Sequence, residues 1–141
     1  MHGQTTILEV MSRDPLTIGP DVLARAANEL MRARGIRHLP VVDAAGRLVG
    51  IVTDRDLAHA AFMPFLSPYL GGSPTRLTAM RVRDVMSWSV VTTSPNATLA
   101  QAGLTMFQRR IGCLPVVEEG RLVGIITERD MLRALGAEDD A

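Results

Sequence analysis

The stretch Gly50-Ile51-Val52-Thr53-Asp54-Arg55-Asp56 returns almost unchanged as Gly124-Ile125-Ile126-Thr127-Glu128-Arg129-Asp130. A chain that spells one segment twice is built from two copies of one unit, which constrains the fold more than composition does. The duplication runs beyond the heptad. A shift of 75 positions pairs Val10-Met11-Ser12 with Val85-Met86-Ser87, Thr17 with Thr92, Met31 with Met106, and Leu39-Pro40-Val41-Val42 with Leu114-Pro115-Val116-Val117. The shift becomes 74 after the turns Asp43-Ala44-Ala45-Gly46 and Glu118-Glu119-Gly120, where a one-residue length change is tolerated at a surface. Repeat 1 therefore spans about Ile7–Ala61 and repeat 2 about Val82–Leu135, joined by an apolar, Pro- and Gly-containing connection over 62–81.

Each repeat, at about 55 residues, is in the size range where a core is marginal, so the halves are expected to complete one another. The whole chain of 141 residues, 47% hydrophobic, is long enough for a full core. Its 15 cations balance 15 anions, so no overall field favours nucleic acid or a membrane surface. Every cation is arginine; genome composition explains this, although arginine also suits bidentate grip on phosphate. Cys113 is the one cysteine, which excludes an internal disulfide and a multi-cysteine metal site. With no basic-then-apolar leader and no run of about 18 apolar residues, the expected compartment is the cytoplasm.

Within a repeat the signals come in a fixed order. Leu16-Thr17-Ile18 is a short β-type run stopped by Pro20, and Asp21 is a candidate helix cap. From Val22 to Arg34 the apolar residues Leu23, Ala26, Ala27, Leu30 and Met31 fall on one helical face, ended by Gly35. His38–Val42 and Arg47–Val52 are strands about a tight turn, and Thr53 opens a second helix through about Ala61. The order is β-α-β-β-α, an α+β pattern, with the first two strands parallel across the helical crossover and the third antiparallel. Pro40 and Pro115 lack a ladder donor, which suits either an edge strand or a pocket wall.

Thr53 and Asp56, like Thr127 and Asp130, stand three apart at a helix start. That is the spacing of a capping box, which is a sufficient structural explanation by itself. A functional reading exists beside it. A carboxylate at such a junction can accept both hydroxyls of a ribose, while Arg55, Arg129 or His38 faces phosphate; together these describe a nucleotide. His38 also reads as a partly buried strand-start residue, Cys113 as a small buried apolar one, and Met11, Met31, Met86 and Met106 as core or interface filler.

The two β-α-β-β-α units, each with a leucine-proline-valine strand and the glycine-to-aspartate junction, resemble a tandem pair of cystathionine-β-synthase (CBS) domains, a Bateman module, over about Ile7–Leu135. The resemblance implies pseudo-twofold packing of the units, sheet to sheet, around clefts for AMP, ADP, ATP, S-adenosylmethionine or dinucleotides of the NAD type. Carried over by position, Asp56 and Asp130 hold ribose, and Thr53 and Thr127 touch phosphate or ribose. Thr17, Ile18, His38, Leu39 and Pro40, with Thr92, Thr93, Cys113, Leu114 and Pro115 in repeat 2, line the base pockets. The implied role is regulatory: an adenosine nucleotide, with Mg2+ as a candidate companion ion, is a signal and not a required cofactor. A homodimer and a regulated protein of unknown identity are the implied partners.

The alternative is a ligand-free structural or dimerisation module whose Thr/Asp pairs only cap helices. An enzyme is disfavoured, since no P-loop, metal-ligand set or nucleophile-base arrangement is present, and no residue is assigned a catalytic or metal-binding role. The Arg32, Arg34, Arg37 and Arg109, Arg110 clusters lack the aromatic surface that nucleic-acid binding favours. The connection over 62–81 is expected to pack on the core or meet a second copy, and Trp88 to be surface or interface.

Overall fold

The computed structural model describes residues 5–62 and 79–139, excluding the side chains of 137–139. Most of the connection over 62–81 lies outside the described residues. The elements run α1 (Ile7–Val10), β1 (Ser12–Arg13), α2 (Ala24–Arg34), β2 (His38–Val42), β3 (Leu48–Thr53), α3 (Asp54–Phe62), α4 (Val82–Val85), α5 (Leu99–Arg109), β4 (Cys113–Glu118), β5 (Arg121–Thr127) and α6 (Glu128–Asp139). Helices and strands mix within each unit, as the α+β reading expects.

The chain divides into two compact units, and they are not the two repeats. One is contiguous, Leu16–Val90; the other combines the start of the chain, up to Pro15, with everything from Val91 onward. The opening segment of each repeat has therefore left its own repeat. Within the contiguous unit, Leu23 bridges Arg81, with Ala24 N–H donating to Met80 O (2.8 Å) and Val82 N–H to Val22 O (2.8 Å). In the other unit Thr6 bridges Thr98 by the equivalent bonds, Ile7 N–H to Ala97 O (2.9 Å) and Leu99 N–H to Thr5 O (2.7 Å). A unit thus obtains from the other repeat the strand partner and the apolar side chains its own residues lack.

This exchange also sets where α2 starts. The sequence places the helix at Val22 with Asp21 as cap, but Leu23 is extended and bridges Arg81, and Val22 O accepts from Val82 N–H, so the helix opens at Ala24. Asp21 instead accepts from the Arg83 guanidinium and, through its backbone carbonyl, from Arg81.

The central hairpins fold as expected. β2 pairs antiparallel with β3, His38 facing Thr53 and Pro40 facing Ile51, and β4 pairs with β5, Cys113 facing Thr127 and Pro115 facing Ile125. The predicted strand Leu16-Thr17-Ile18 shrinks to one parallel bridge, Ile18 to Val41, as Thr93 bridges Val116 in the other unit. Proline explains the shortening. Ile18 N–H donates to Pro40 O (3.1 Å) and Val42 N–H to Ile18 O (3.0 Å); the next parallel rung would need an N–H at position 40, which proline lacks. Pro115 ends its ladder at Thr93 in the same way, with Thr93 N–H to Pro115 O (3.0 Å).

Each unit has its own core. In the contiguous unit, Ala27 and Met31 of α2, Leu39, Val41 and Val52 of the hairpin and Leu57 of α3 bury with Val82 and Met86 of the exchanged segment. In the other, Leu99, Ala102 and Met106 bury with Leu114, Val116 and Ile126 and with Ile7 and Met11. The four duplicated methionines are core residues, and Trp88 is 62% exposed.

Candidate functional site

The duplicated junction lies where β3 runs into α3 and where β5 runs into α6. In the contiguous unit, Thr53 N–H donates to Asp56 Oδ2 (2.9 Å) and Asp56 N–H to Thr53 Oγ1 (3.1 Å), a closed capping box. The other first-turn amides are also engaged: Asp54 N–H with Arg37 O (3.0 Å) and Arg55 N–H with Asp54 Oδ1 (2.8 Å). The amides that would otherwise make a helix N-terminus attractive to an anion are thus satisfied from within, and side chains are left for that role. Arg55 is exposed, Asp56 half-buried, and His38 half-buried opposite Thr53.

The second junction repeats the box. Thr127 N–H donates to Asp130 Oδ2 (2.9 Å), and Asp130 N–H to Thr127 Oγ1 (3.3 Å). Here the carboxylate has further partners. Ser12 Oγ donates to Asp130 Oδ1 (3.2 Å), Thr127 Oγ1 to Oδ2 (3.1 Å), and the Arg133 guanidinium to Oδ1 (2.9 Å). Asp130 is only 3% exposed in consequence. Arg129 is exposed, and Cys113, opposite Thr127, is buried; burial pushes its thiol up to about 12, so it is a protonated, unreactive thiol.

The remaining predicted residues sit along the same strands. Leu39, Pro40, Leu114 and Pro115 are buried in β2 and β4, Thr17 and Thr93 are half-buried, Ile18 is buried, and Thr92 is exposed. Thr17 and Ile18 open on a cavity of about 520 Å³ with Pro20, Val22, Val42 and Asp43, at the Val42 end of β2. His38, Thr53 and Asp56 gather at the opposite end of that strand. A second cavity of about 580 Å³ is formed by Met106, Phe107, Gln108, Arg110, Ile111 and Glu128, none of which was a predicted site residue.

Two side chains at the second junction were not anticipated. Ser12 was visible in the duplicated Val-Met-Ser, but its distance from Asp130 in the chain hid the contact. Arg133 lacks a duplicated counterpart, since His59 holds the equivalent place in repeat 1, so the repeat gave no signal for it. A further shared feature is the glycine that opens the motif. A Cβ on Gly50 would lie 2.8 Å from Ser87 O, and one on Gly124 3.0 Å from Ser12 O, so glycine lets each exchanged segment lie against its strand. Ile51 and Ser87 exchange both backbone bonds there (3.1 and 2.9 Å), and Ser12–Arg13 pairs with Ile125–Gly124.

Among the described residues no cluster of three His, Cys, Asp or Glu side chains is disposed to hold a metal ion, and no helix is long and apolar enough to cross a membrane.

The family model of the CBS domain matches residues 7–62 and again 82–137. The chain belongs to the CBS-domain family. It is a tandem CBS pair, and relatives of the same size exist. A CBS domain-containing protein of Dictyostelium discoideum is 35% identical over 130 residues, 92% of this chain and 90% of that one. The CBS pair of protein MJ0100, solved in complex with 5′-methylthioadenosine and S-adenosyl-L-methionine, superposes with a TM-score of 0.78 at 27% identity, over 95% of this chain and 98% of that one. CBSX2 in complex with AMP gives a TM-score of 0.82 at 25% identity, over 96% and 98%. Homologous CBS pairs therefore bind adenosine compounds. Enzymes are among the relatives too, including inosine-5′-monophosphate dehydrogenases and homoserine O-acetyltransferases, but this chain spans only 21 to 25% of their length, so their activities do not transfer.

Proposed function

We propose that this CBS pair is a regulatory module that binds an adenosine-containing ligand at its strand-to-helix junctions and signals to a partner protein. The observation that carries the reading is the intact Thr/Asp junction in both units, in a fold whose relatives were solved with AMP and with S-adenosylmethionine. Asp56 supplies a half-buried carboxylate for a ribose diol, Thr53 a hydroxyl beside it, and the exposed Arg55 a guanidinium for phosphate, since the α3 amides are already engaged. His38, Leu39 and Pro40 form the wall next to this group, and Thr127, Asp130, Arg129 and Cys113 to Pro115 are the second copy. A homodimer is the proposed assembly. The ligand biases the module's equilibrium by its differential affinity for two arrangements; a coupling of about 1 to 3 kcal/mol is enough.

The closed capping boxes favour a second reading, in which Thr and Asp only terminate helices. Thermal denaturation separates the two. An adenosine ligand at 100 times its dissociation constant stabilises the folded state by about 2.7 kcal/mol. Under the regulatory reading AMP or S-adenosylmethionine raises the melting temperature, and Asp56→Asn reduces the rise. No rise with AMP, S-adenosylmethionine, ATP or NAD sinks the regulatory reading and leaves the structural one.

A further inference from the structure

The two junctions share a motif but differ in burial and in the side chain one turn along the helix. Asp56 is half-buried and engaged by its own cap, whereas Asp130 is 3% exposed and also holds Ser12 and Arg133. The Arg133 guanidinium, one helical turn along α6, is itself 68% exposed while its Asp130 partner is covered. It therefore covers the carboxylate from the solvent side, on a long side chain that is itself mostly exposed. His59 occupies the equivalent place in repeat 1, an imidazole on a shorter stem instead of a permanently charged, forked guanidinium.

We propose that Arg133 is a specificity-determining gate on the Asp130 junction, making this site selective for phosphorylated adenosine ligands over neutral ones; the inference rests on the adenosine reading above. A ribose that takes the Asp130 carboxylate must displace the guanidinium. A neutral nucleoside breaks that charge-assisted pair and returns nothing to the arginine. A ligand with a 5′-phosphate offers the displaced guanidinium a new anion, to which arginine bonds bidentately, within the reach of the same side chain. The Asp56 junction carries no arginine at the equivalent position, so it discriminates less.

The test is calorimetric titration with AMP and with adenosine on the wild type, on Asp56→Asn to isolate the Asp130 junction, and on Asp56→Asn with Arg133→Gln. The isolated junction is expected to prefer AMP to adenosine by at least tenfold, and Arg133→Gln to reduce that preference severalfold while tightening adenosine. An unchanged AMP-to-adenosine ratio with Arg133→Gln overturns the gate. So does loss of all binding in Asp56→Asn when the wild type binds AMP, because the Asp130 junction is then no site. Absence of AMP and adenosine binding to every variant, wild type included, is a different result: it rejects the adenosine reading itself. Arg133→Lys, which keeps the charge but loses the bidentate fork, is expected to retain only part of the AMP preference; a purely structural role would leave the AMP-to-adenosine ratio unmoved in both Arg133 variants, which overturns the gate.

Discussion

Replacing Gly50 by alanine should be costly, and its structural cause can be traced atom by atom. The new Cβ would stand 2.7 Å from Met86 Sδ, 3.2 Å from Met86 Cε and 2.8 Å from the carbonyl oxygen of Ser87. The methionine tip can swing aside. The carbonyl cannot, because Ser87 is fixed by its paired bonds with Ile51 (3.1 and 2.9 Å). The exchanged segment must then withdraw, weakening both bonds, each worth about 0.5 to 1.5 kcal/mol net, and overpacking a core site adds about 1 to 3 kcal/mol. Against this, alanine restricts the unfolded chain and returns about 0.4 to 1 kcal/mol. A net loss of about 2 kcal/mol follows. In urea, with a slope of about 2 kcal/mol per molar, the midpoint falls by about 1 M. Gly136→Ala is the control, since nothing lies within 4 Å of a Cβ there; in an exposed helical position it should stabilise by up to about 1 kcal/mol. A cycle with Met86→Ala divides the loss: the side-chain part couples favourably, and the carbonyl part persists. Gly50→Ala as stable as the wild type would refute the close-approach argument.

Three other substitutions probe two places where the repeats differ. Arg110 caps α5 in the left-handed region at φ 55, where repeat 1 has Gly35 at φ 64, so Arg110→Gly should stabilise by about 1 kcal/mol in thermal or urea unfolding, and Gly35→Ala should do the reverse. Cys113, raised by burial from 9.0 to about 12, binds its proton in the folded state at pH values where the unfolded thiol has lost it, so its contribution to stability falls as pH rises above 9. Between pH 8 and pH 10 the wild type should lose about 1 kcal/mol more than Cys113→Ala in urea titrations; equal losses would show the thiol is more accessible than its burial indicates.

The hairpins, the helical faces and the Thr/Asp boxes were legible because local rules determine them: alternation, 3.6-residue periodicity and cap spacing leave marks within a few residues. The shortened first strand was partly legible. Pro40 and Pro115 signalled a missing donor, but whether it faced solvent or a neighbouring strand depended on Ile18 and Thr93, which pair across the helical crossover. The late start of α2 was not legible, since Val22 and Leu23 fit a helix by periodicity and only the arrival of residues 80–82 draws them out of it. The state of Asp130 was hidden for the same reason: Ser12 is distant in sequence, and Arg133 is a divergence between the copies, which share the junction motif but not the residue one turn beyond it. Repetition revealed what the copies share, and the difference between the two junctions lies in what they do not.

The exchange of opening segments predicts which fragment of the chain can fold. A cut at the repeat boundary, giving 7–62, keeps α1 and β1, whose partners Ala97, Leu99, Gly124 and Ile125 are then absent. It also discards Arg81, Val82, Met86 and Ser87, leaving the Leu23 and Ile51 backbones unpaired and a hole in the core beside Leu39 and Leu57. A cut at the compact-unit boundary, giving Leu16–Val90, keeps every bridge of that unit and its whole core in one continuous chain. At 75 residues such a piece is still small enough for its stability to be marginal, so cooperativity is the informative readout. The 16–90 fragment should unfold in urea with a sigmoidal transition and protect the amides of Ile51 and Ser87 from exchange, whereas 7–62 should lose signal without a transition. Adding residues 7–15 to the longer fragment should contribute nothing, because their partners are missing. If 7–62 unfolds cooperatively and 16–90 does not, the sequence repeat is the folding unit and the exchanged segments are ornaments on it; the opposite result makes the exchange the reason the duplication is kept in one chain.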